Sequence, residues 1–213
     1  MTQTVIALDL HAVVFDFSFK DCCKALYAFF KKNPWYNLSL CNPLFVYRLI
    51  RELRTPTRTA ERVYATLQTQ YYPGLAVSAD DFLDICNSYT INADVYALVR
   101  ELKQAGCTIA VCSNIGKHAF ERFYSGHRDF FDLCSVIVTS DPDDNYVRKP
   151  HSDFFTKFKQ ACYGALATQD LQFFFADDKR KNIRAARQAG IHGYHFKSAA
   201  KFRQFLVRHA VLS

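Results

Sequence analysis

Apolar positions alternate between two rhythms along most of the chain. In "DVYALVRELKQAG" they fall at 95, 98, 99 and 102, a helical period that closes on Gly106 as a C-terminal cap. "CTIAVCS" (107–113) then predicts a buried strand, "KHAFERFYS" a helix, "CSVIVTS" (134–140) a strand and "HSDFFTKFKQACYGAL" a helix. "LQFFFADD" (171–178) predicts a third strand, "RKNIRAARQAG" a helix closing on Gly190, and "IHGYHF" a last strand before the helix "AAKFRQFLVRH". Strand, helix, strand, helix with short connections is the pattern of an α/β protein with a parallel sheet covered on both faces.

Residues 20 to about 90 read differently. Long helical patterns ("CCKALYAFFKK", "PLFVYRLIRELR", "TAERVYATLQTQYY", "SADDFLDICNSY") are broken at Asn33-Pro34, Asn42-Pro43, Thr55-Pro56 and Pro73-Gly74, and nothing there reads as a strand. The expected organisation is an α/β core from 1–18 and 91–213, interrupted by an all-helical insertion over 19–90.

Half of the 213 residues are apolar, enough for a sizeable core. No apolar run reaches the length of a membrane span, and "MTQTVIALDLH" has no basic region ahead of its apolar stretch, so a soluble, cytoplasmic protein is expected. The eight cysteines fall inside periodic apolar segments without metal spacing, which predicts reduced, mostly buried thiols. Charge changes the picture more. Residues 20–62 hold nine Lys or Arg against Asp21, Glu52 and Glu61, a net +6 of the chain's +7. Such a region suits an anionic partner, with Arg48, Arg51, Arg54 and Arg58 as candidates to receive it. The aromatic stretch "LYAFFKKNPWYNL" is explained by core spacing at 26, 29 and 30, so neither a nucleic-acid nor a membrane partner is expected.

In open parallel sheets, ligands bind beyond the carboxyl ends of the strands. "VIALD" ends on Asp9, "TIAVCSN" on Ser113-Asn114 and "LQFFFADD" on Asp177-Asp178, while "VRKPHSDFF" sets Lys149 in a loop before a helix whose first turn includes Pro150. One edge thus receives three carboxylates, a hydroxyl, an amide and an ammonium. Clustered carboxylates raise one another's pKa unless a cation neutralises them, and hard oxygen ligands in this number suit Mg²⁺. An aspartate placed there can attack phosphorus as a carboxylate nucleophile, with Ser113 and Asn114 donating to the phosphoryl oxygens.

Four stretches in order, "ALDLHAVVFD", "TIAVCSN", "VRKPHSDFF" and "FFFADDKRKNIRAARQAGIHGYHF", resemble the haloacid dehalogenase (HAD) superfamily. The resemblance covers the core nearly end to end, and the helical insertion stands where that family carries its helical cap. It implies a Rossmann-like core, and it is especially similar to the capped branch that includes sugar-phosphate phosphatases. Carried over, it makes Asp9 the nucleophile and a metal ligand, the carbonyl of His11 a second ligand, and Asp177 and Asp178 the rest of the Mg²⁺ shell. Ser113 and Lys149 would hold the phosphoryl group, and Asn182 would support them from the helix below.

Two positions depart from the phosphatase pattern. The residue two after the nucleophile is usually an aspartate serving as acid and base, and here it is His11; the next, commonly Gly, is Ala12. His11 either takes over those roles or is a spacer whose carbonyl alone matters. The resemblance therefore implies a Mg²⁺-dependent phosphatase of a small phosphorylated metabolite. Its alternatives are a weak or inactive protein that binds a phosphorylated ligand or partner, and a haloacid dehalogenase-type hydrolase. Asp16 is the other aspartate behind an apolar run. As nucleophile it would begin its strand with a histidine and leave no turn or flap before the insertion; as a flap residue it raises neither difficulty.

Overall fold

The structure is a computed structural model that describes residues 2–32, 44, 47–48, 60–71, 78–86, 88–140 and 147–213. The chain forms two compact units, one of residues 1–16, 90–117 and 124–213, the other of 17–89 and 118–123.

The first unit is built on five strands: β1 (Gln3–Leu8), β4 (Thr108–Gly116), β5 (Cys134–Ser140), β6 (Leu171–Asp177) and β7 (His192–His195). Their spatial order is β5-β4-β1-β6-β7 and every pairing is parallel. This is the predicted α/β, Rossmann-like sheet. Helices α4 (Ala93–Gln104), α7 (Ser152–Leu166), α8 (Arg180–Gln188) and α9 (Ala199–Arg208) flank it, with α5 (Lys117–Gly126) and the short α6 (Arg128–Phe131) between β4 and β5.

The run Phe173-Phe174-Phe175 shows how the strand period divides the core. Alternate side chains leave opposite faces of a sheet. Phe173 and Phe175 therefore meet Phe158 and Phe155 of α7, both at 5.8 Å between ring centroids, while Phe174 meets Phe205 of α9 at 6.2 Å. Val5, Ala7, Ala110, Cys112, Val136 and Val138 share the first face and complete a continuous buried cluster. On α4 the buried residues are Val95, Leu98, Val99 and Leu102, the stripe read from the sequence. Gly106 and Gly190 follow their helices at φ +81° and +77°, in the left-handed region that glycine enters without steric cost.

In the second unit α1 (Phe19–Lys32), α2 (Ala60–Thr66) with a π-helical turn over Leu67–Tyr71, and α3 (Ala79–Cys86) are helical, as the periodicity predicts. Arg51, Arg54, Arg58 and Cys41 lie outside the described residues, as do the side chains of Leu26, Phe29 and Phe30. Among the described residues no helix is long and apolar enough to cross a membrane.

Three expectations need correction. A short strand, β3 (Tyr89–Ile91), pairs with β2 (Phe15–Phe17) where only helix was expected, because three residues are too few to carry a readable period. Pro150 precedes α7 rather than sitting in its first turn: His151 is the N-cap, and its ring nitrogen accepts from Asp153 N at 3.3 Å. Cys23 is exposed on α1, whereas Cys107, Cys112 and Cys162 are buried; these and the other described cysteines assigned a state, Cys22 and Cys134, are free thiols.

Candidate active site

All of the candidate site residues lie in the first unit, at the carboxyl edge of its sheet. β1 ends at Leu8, and Asp9 N–H donates to Ala176 O of the neighbouring strand at 3.0 Å, so the sheet ladder carries Asp9 to the strand end. The chain then turns tightly. Ala12 N–H donates to Phe15 O, and Val14 and Phe15 N–H both donate to Leu10 O, at 2.8 to 3.0 Å. Closing that turn puts Ala12 at φ +59°, the position where the phosphatase pattern commonly has glycine. Asp16 stands away from the cluster, its carboxylate accepting from Asn92 at 2.9 Å.

Asp9, Asp177 and Asp178 each offer an oxygen within 4.8 Å of the others. Into them reaches Lys149, whose ammonium lies 3.0 Å from Asp9 Oδ1, 2.7 Å from Asp177 Oδ2 and 2.6 Å from the carbonyl of Cys112. Asp9, Lys149 and Asp177 are all buried. Burial by itself would raise the Asp9 carboxyl, but the charges of Lys149, His11 and Lys179 outweigh it and hold Asp9 below its ordinary range. For Asp177 burial wins with Asp9 beside it, and the carboxyl is pushed up. Burial opposes the Lys149 charge as well, yet the two carboxylates push its pKa above the ordinary lysine value.

Three carboxylates against one ammonium leave two negative charges at the edge, the charge of one divalent cation. The hydrogen bonds fit such an ion. Asp177 is already fully engaged, accepting from Lys149, from Lys179 N at 2.8 Å and from Asn182 Nδ2 at 2.9 Å on each oxygen. Asp178 Oδ1, by contrast, is buried and has no hydrogen-bond partner among the described residues. An anionic oxygen left that way is costly unless a cation takes it up.

Ser113 is also buried with an unpartnered hydroxyl, the state expected of a donor kept for a ligand. Asn114 is different: its side chain is spent on the backbone of Lys149, accepting from Lys149 N–H at 2.8 Å and donating to Lys149 O at 2.9 Å. Nor does it cap α5, whose N-cap is Gly116. His11 is partly buried, and burial holds its imidazole below the ordinary value despite the pull of Asp9.

One contributor was not read from the sequence. His195, in register with Asp177 across β6 and β7, has Nε2 2.9 Å from the carbonyl of Asp178 and tethers the acidic turn. Its position at the end of a strand was the available signal.

The fold is shared with known structures. A predicted HAD-like family hydrolase of Porphyromonas gingivalis superposes with a TM-score of 0.61 at 16% identity, covering 98% of this chain and 99% of that one. The chain has the haloacid dehalogenase fold. A HAD-family enzyme of Bacteroides thetaiotaomicron, crystallised with magnesium and inorganic phosphate, matches at 0.57 and 19% identity over 92% of this chain and 94% of its own. The L-2-haloacid dehalogenase of Xanthobacter autotrophicus, with chloropropionic acid covalently bound, shares the HAD fold at 0.55 and 17% identity, over 100% and 85%. No protein-family model and no curated protein matches the sequence.

Proposed function

We propose that this protein is a HAD-superfamily phosphatase that hydrolyses a small phosphorylated metabolite with Mg²⁺, through a phosphoryl group carried on Asp9. The observation that supports this best is the three-carboxylate cluster around Lys149, with Asp178 Oδ1 buried and unpartnered. Asp9, Asp178 and the carbonyl of His11 would hold the ion directly, and Asp177, whose oxygens are already engaged, would complete the shell through water. When bound it would neutralise the carboxylates and the incoming phosphoryl charge. A dehalogenase splitting a carbon–halogen bond needs no such set of acids.

Asp9 Oδ1 is held by the Leu10 N–H at 2.9 Å and by Lys149, which leaves Oδ2 to attack phosphorus. The new Oδ2–P bond forms as the ester P–O bond breaks, and the departing alkoxide takes a proton from solvent water. Water then attacks the aspartyl phosphate, giving inorganic phosphate and restoring Asp9. Ser113 donates to the phosphoryl oxygens and Lys149 balances their charge. His11 stands two residues after Asp9, the position at which the resemblance has its acid and base; an imidazole held below its ordinary pKa suits taking the proton from water. Residues 19–90 are the cap in this reading, and the net +6 of residues 20–62 suits an anionic metabolite.

Hydrolysis of p-nitrophenyl phosphate and a panel of phosphorylated metabolites tests the reading. Wild type turns over with Mg²⁺ and Asp9→Asn does not; equal rates for the two on every substrate would overturn it. His11→Ala separates the two roles of that residue, because a spacer would leave the rate unchanged.

A further inference from the structure

We propose that Asn114 is a positioning residue for Lys149 and does not itself contact the substrate. The inference rests on the phosphatase reading and assigns that site a residue whose work is indirect.

Both polar atoms of the Asn114 amide are committed to one residue, Oδ1 to the N–H of Lys149 at 2.8 Å and Nδ2 to its carbonyl at 2.9 Å. The backbone fixes which amide atom faces which, since an N–H can only donate and a carbonyl only accept. The pairing imitates a sheet ladder across 35 residues of sequence. It holds the main chain at 149, nine residues past the end of β5, against a residue within β4. The same stretch of β4 also grips the far end of this side chain, because the Cys112 carbonyl accepts from Lys149 Nζ at 2.6 Å. The Asn114 carbonyl adds a longer contact to Arg148 Nη2, 3.4 Å. Lys149 is thus fastened at its backbone by Asn114 and at its tip by Cys112, Asp9 and Asp177.

A lysine has four rotatable side-chain bonds, so an ammonium aimed at two carboxylates at once needs a fixed base. Asn114 supplies it. With the clamp intact the ammonium meets Asp9 and Asp177 together; without it, the side chain can satisfy one of them at the other's expense. The neighbouring Ser113, whose hydroxyl is unpartnered, is left as the phosphoryl donor on this strand.

A double-mutant cycle of Asn114→Ala and Lys149→Ala, assayed on the best substrate with Mg²⁺, tests the assignment. Removing a partner that orients a reactive group costs roughly 10- to 100-fold, so Asn114→Ala is expected to lower kcat by that factor with KM changed little. In the Lys149→Ala background the same substitution should change kcat/KM by less than about threefold, because the residue it acts through is gone. Asn114→Asp, close in shape, keeps the acceptor for Lys149 N–H but turns an anionic oxygen onto its carbonyl. It should lose kcat as the alanine variant does, and it carries the test should Asn114→Ala not fold. Full additivity in the double mutant, or a loss seen only in KM, would overturn the proposal by making Asn114 a substrate contact. A wild type no faster than Asp9→Asn would instead bring down the phosphatase reading, and this proposal with it.

Discussion

Lys149 Nζ and Asp9 Oδ1 lie 3.0 Å apart with both side chains almost wholly out of water. Breaking a buried pair by removing one partner strands the other charge. Lys149→Met leaves both Asp9 and Asp177 without their cation, and is expected to lower stability by about 3–5 kcal/mol. Urea denaturation measures this, and adding Asp177→Asn to the variant should recover part of the loss. Equal midpoints for wild type and Lys149→Met would contradict the picture of a shared ammonium.

Magnesium should stabilise the folded chain whether or not a substrate is known. A ligand that binds only the native state at about a hundred times its dissociation constant adds about 2.7 kcal/mol. The unpartnered Asp178 Oδ1 is the oxygen with most to gain, so Asp178→Asn should lose most of the rise in Tm that MgCl₂ gives the wild type. Thermal unfolding with and without the salt, against potassium chloride at matched ionic strength, reads the difference.

Ala12 sits at φ +59°, where a Cβ crowds the backbone. Glycine there relieves the crowding but gives the unfolded chain more freedom, and the balance favours Ala12→Gly by about 1 kcal/mol. Ala12→Val, branched at Cβ, should be clearly destabilising. The prediction fails if the glycine variant unfolds at lower urea than wild type.

His127 lies 4.6 Å from Phe15 between ring centroids, and burial holds its imidazole below the ordinary 6.5. The unfolded histidine takes up its proton as pH falls through 6.5, while the folded one does so only lower. In that window the unfolded state binds more protons, so this residue's share of stability is complete above 6.5 and declines as the solution becomes acidic. Melting temperatures followed from about pH 7.5 to about pH 5 should fall more steeply for wild type than for His127→Gln. Parallel curves would remove His127 from the acid response.

The hydrophobic rhythm carried the fold because each element needs only its own neighbours to declare itself. The stripe at 95, 98, 99 and 102, the apolar runs before Asp9, Ser113 and Asp177, and the glycines after two helices are local facts, and they recur as α4, as the buried strands β1, β4 and β6, of which β4 runs past Ser113 to Gly116, and as positive-φ caps. Because the carboxyl ends of parallel strands in one sheet share an edge, the sequence pattern also marks Asp9, Ser113, Lys149, Asp177 and Asp178 as candidates for that edge. β3 escaped for the converse reason: Tyr89–Ile91 is a strand only through its pairing with β2.

What each gathered side chain does there was decided by tertiary structure alone. Asn114 looked like a phosphoryl donor, and it binds the Lys149 backbone. Asp177 and Asp178 looked equivalent, yet one carboxylate is saturated by Lys149, Asn182 and Lys179 while the other keeps a buried oxygen without a partner. His195 carried no sequence signal beyond its place at a strand end, and it tethers the acidic turn. Sequence alone determined which residues arrive at the edge, since arrival depends on period and strand length. Their division of labour depends on distances between atoms far apart in the chain, and only folding sets those.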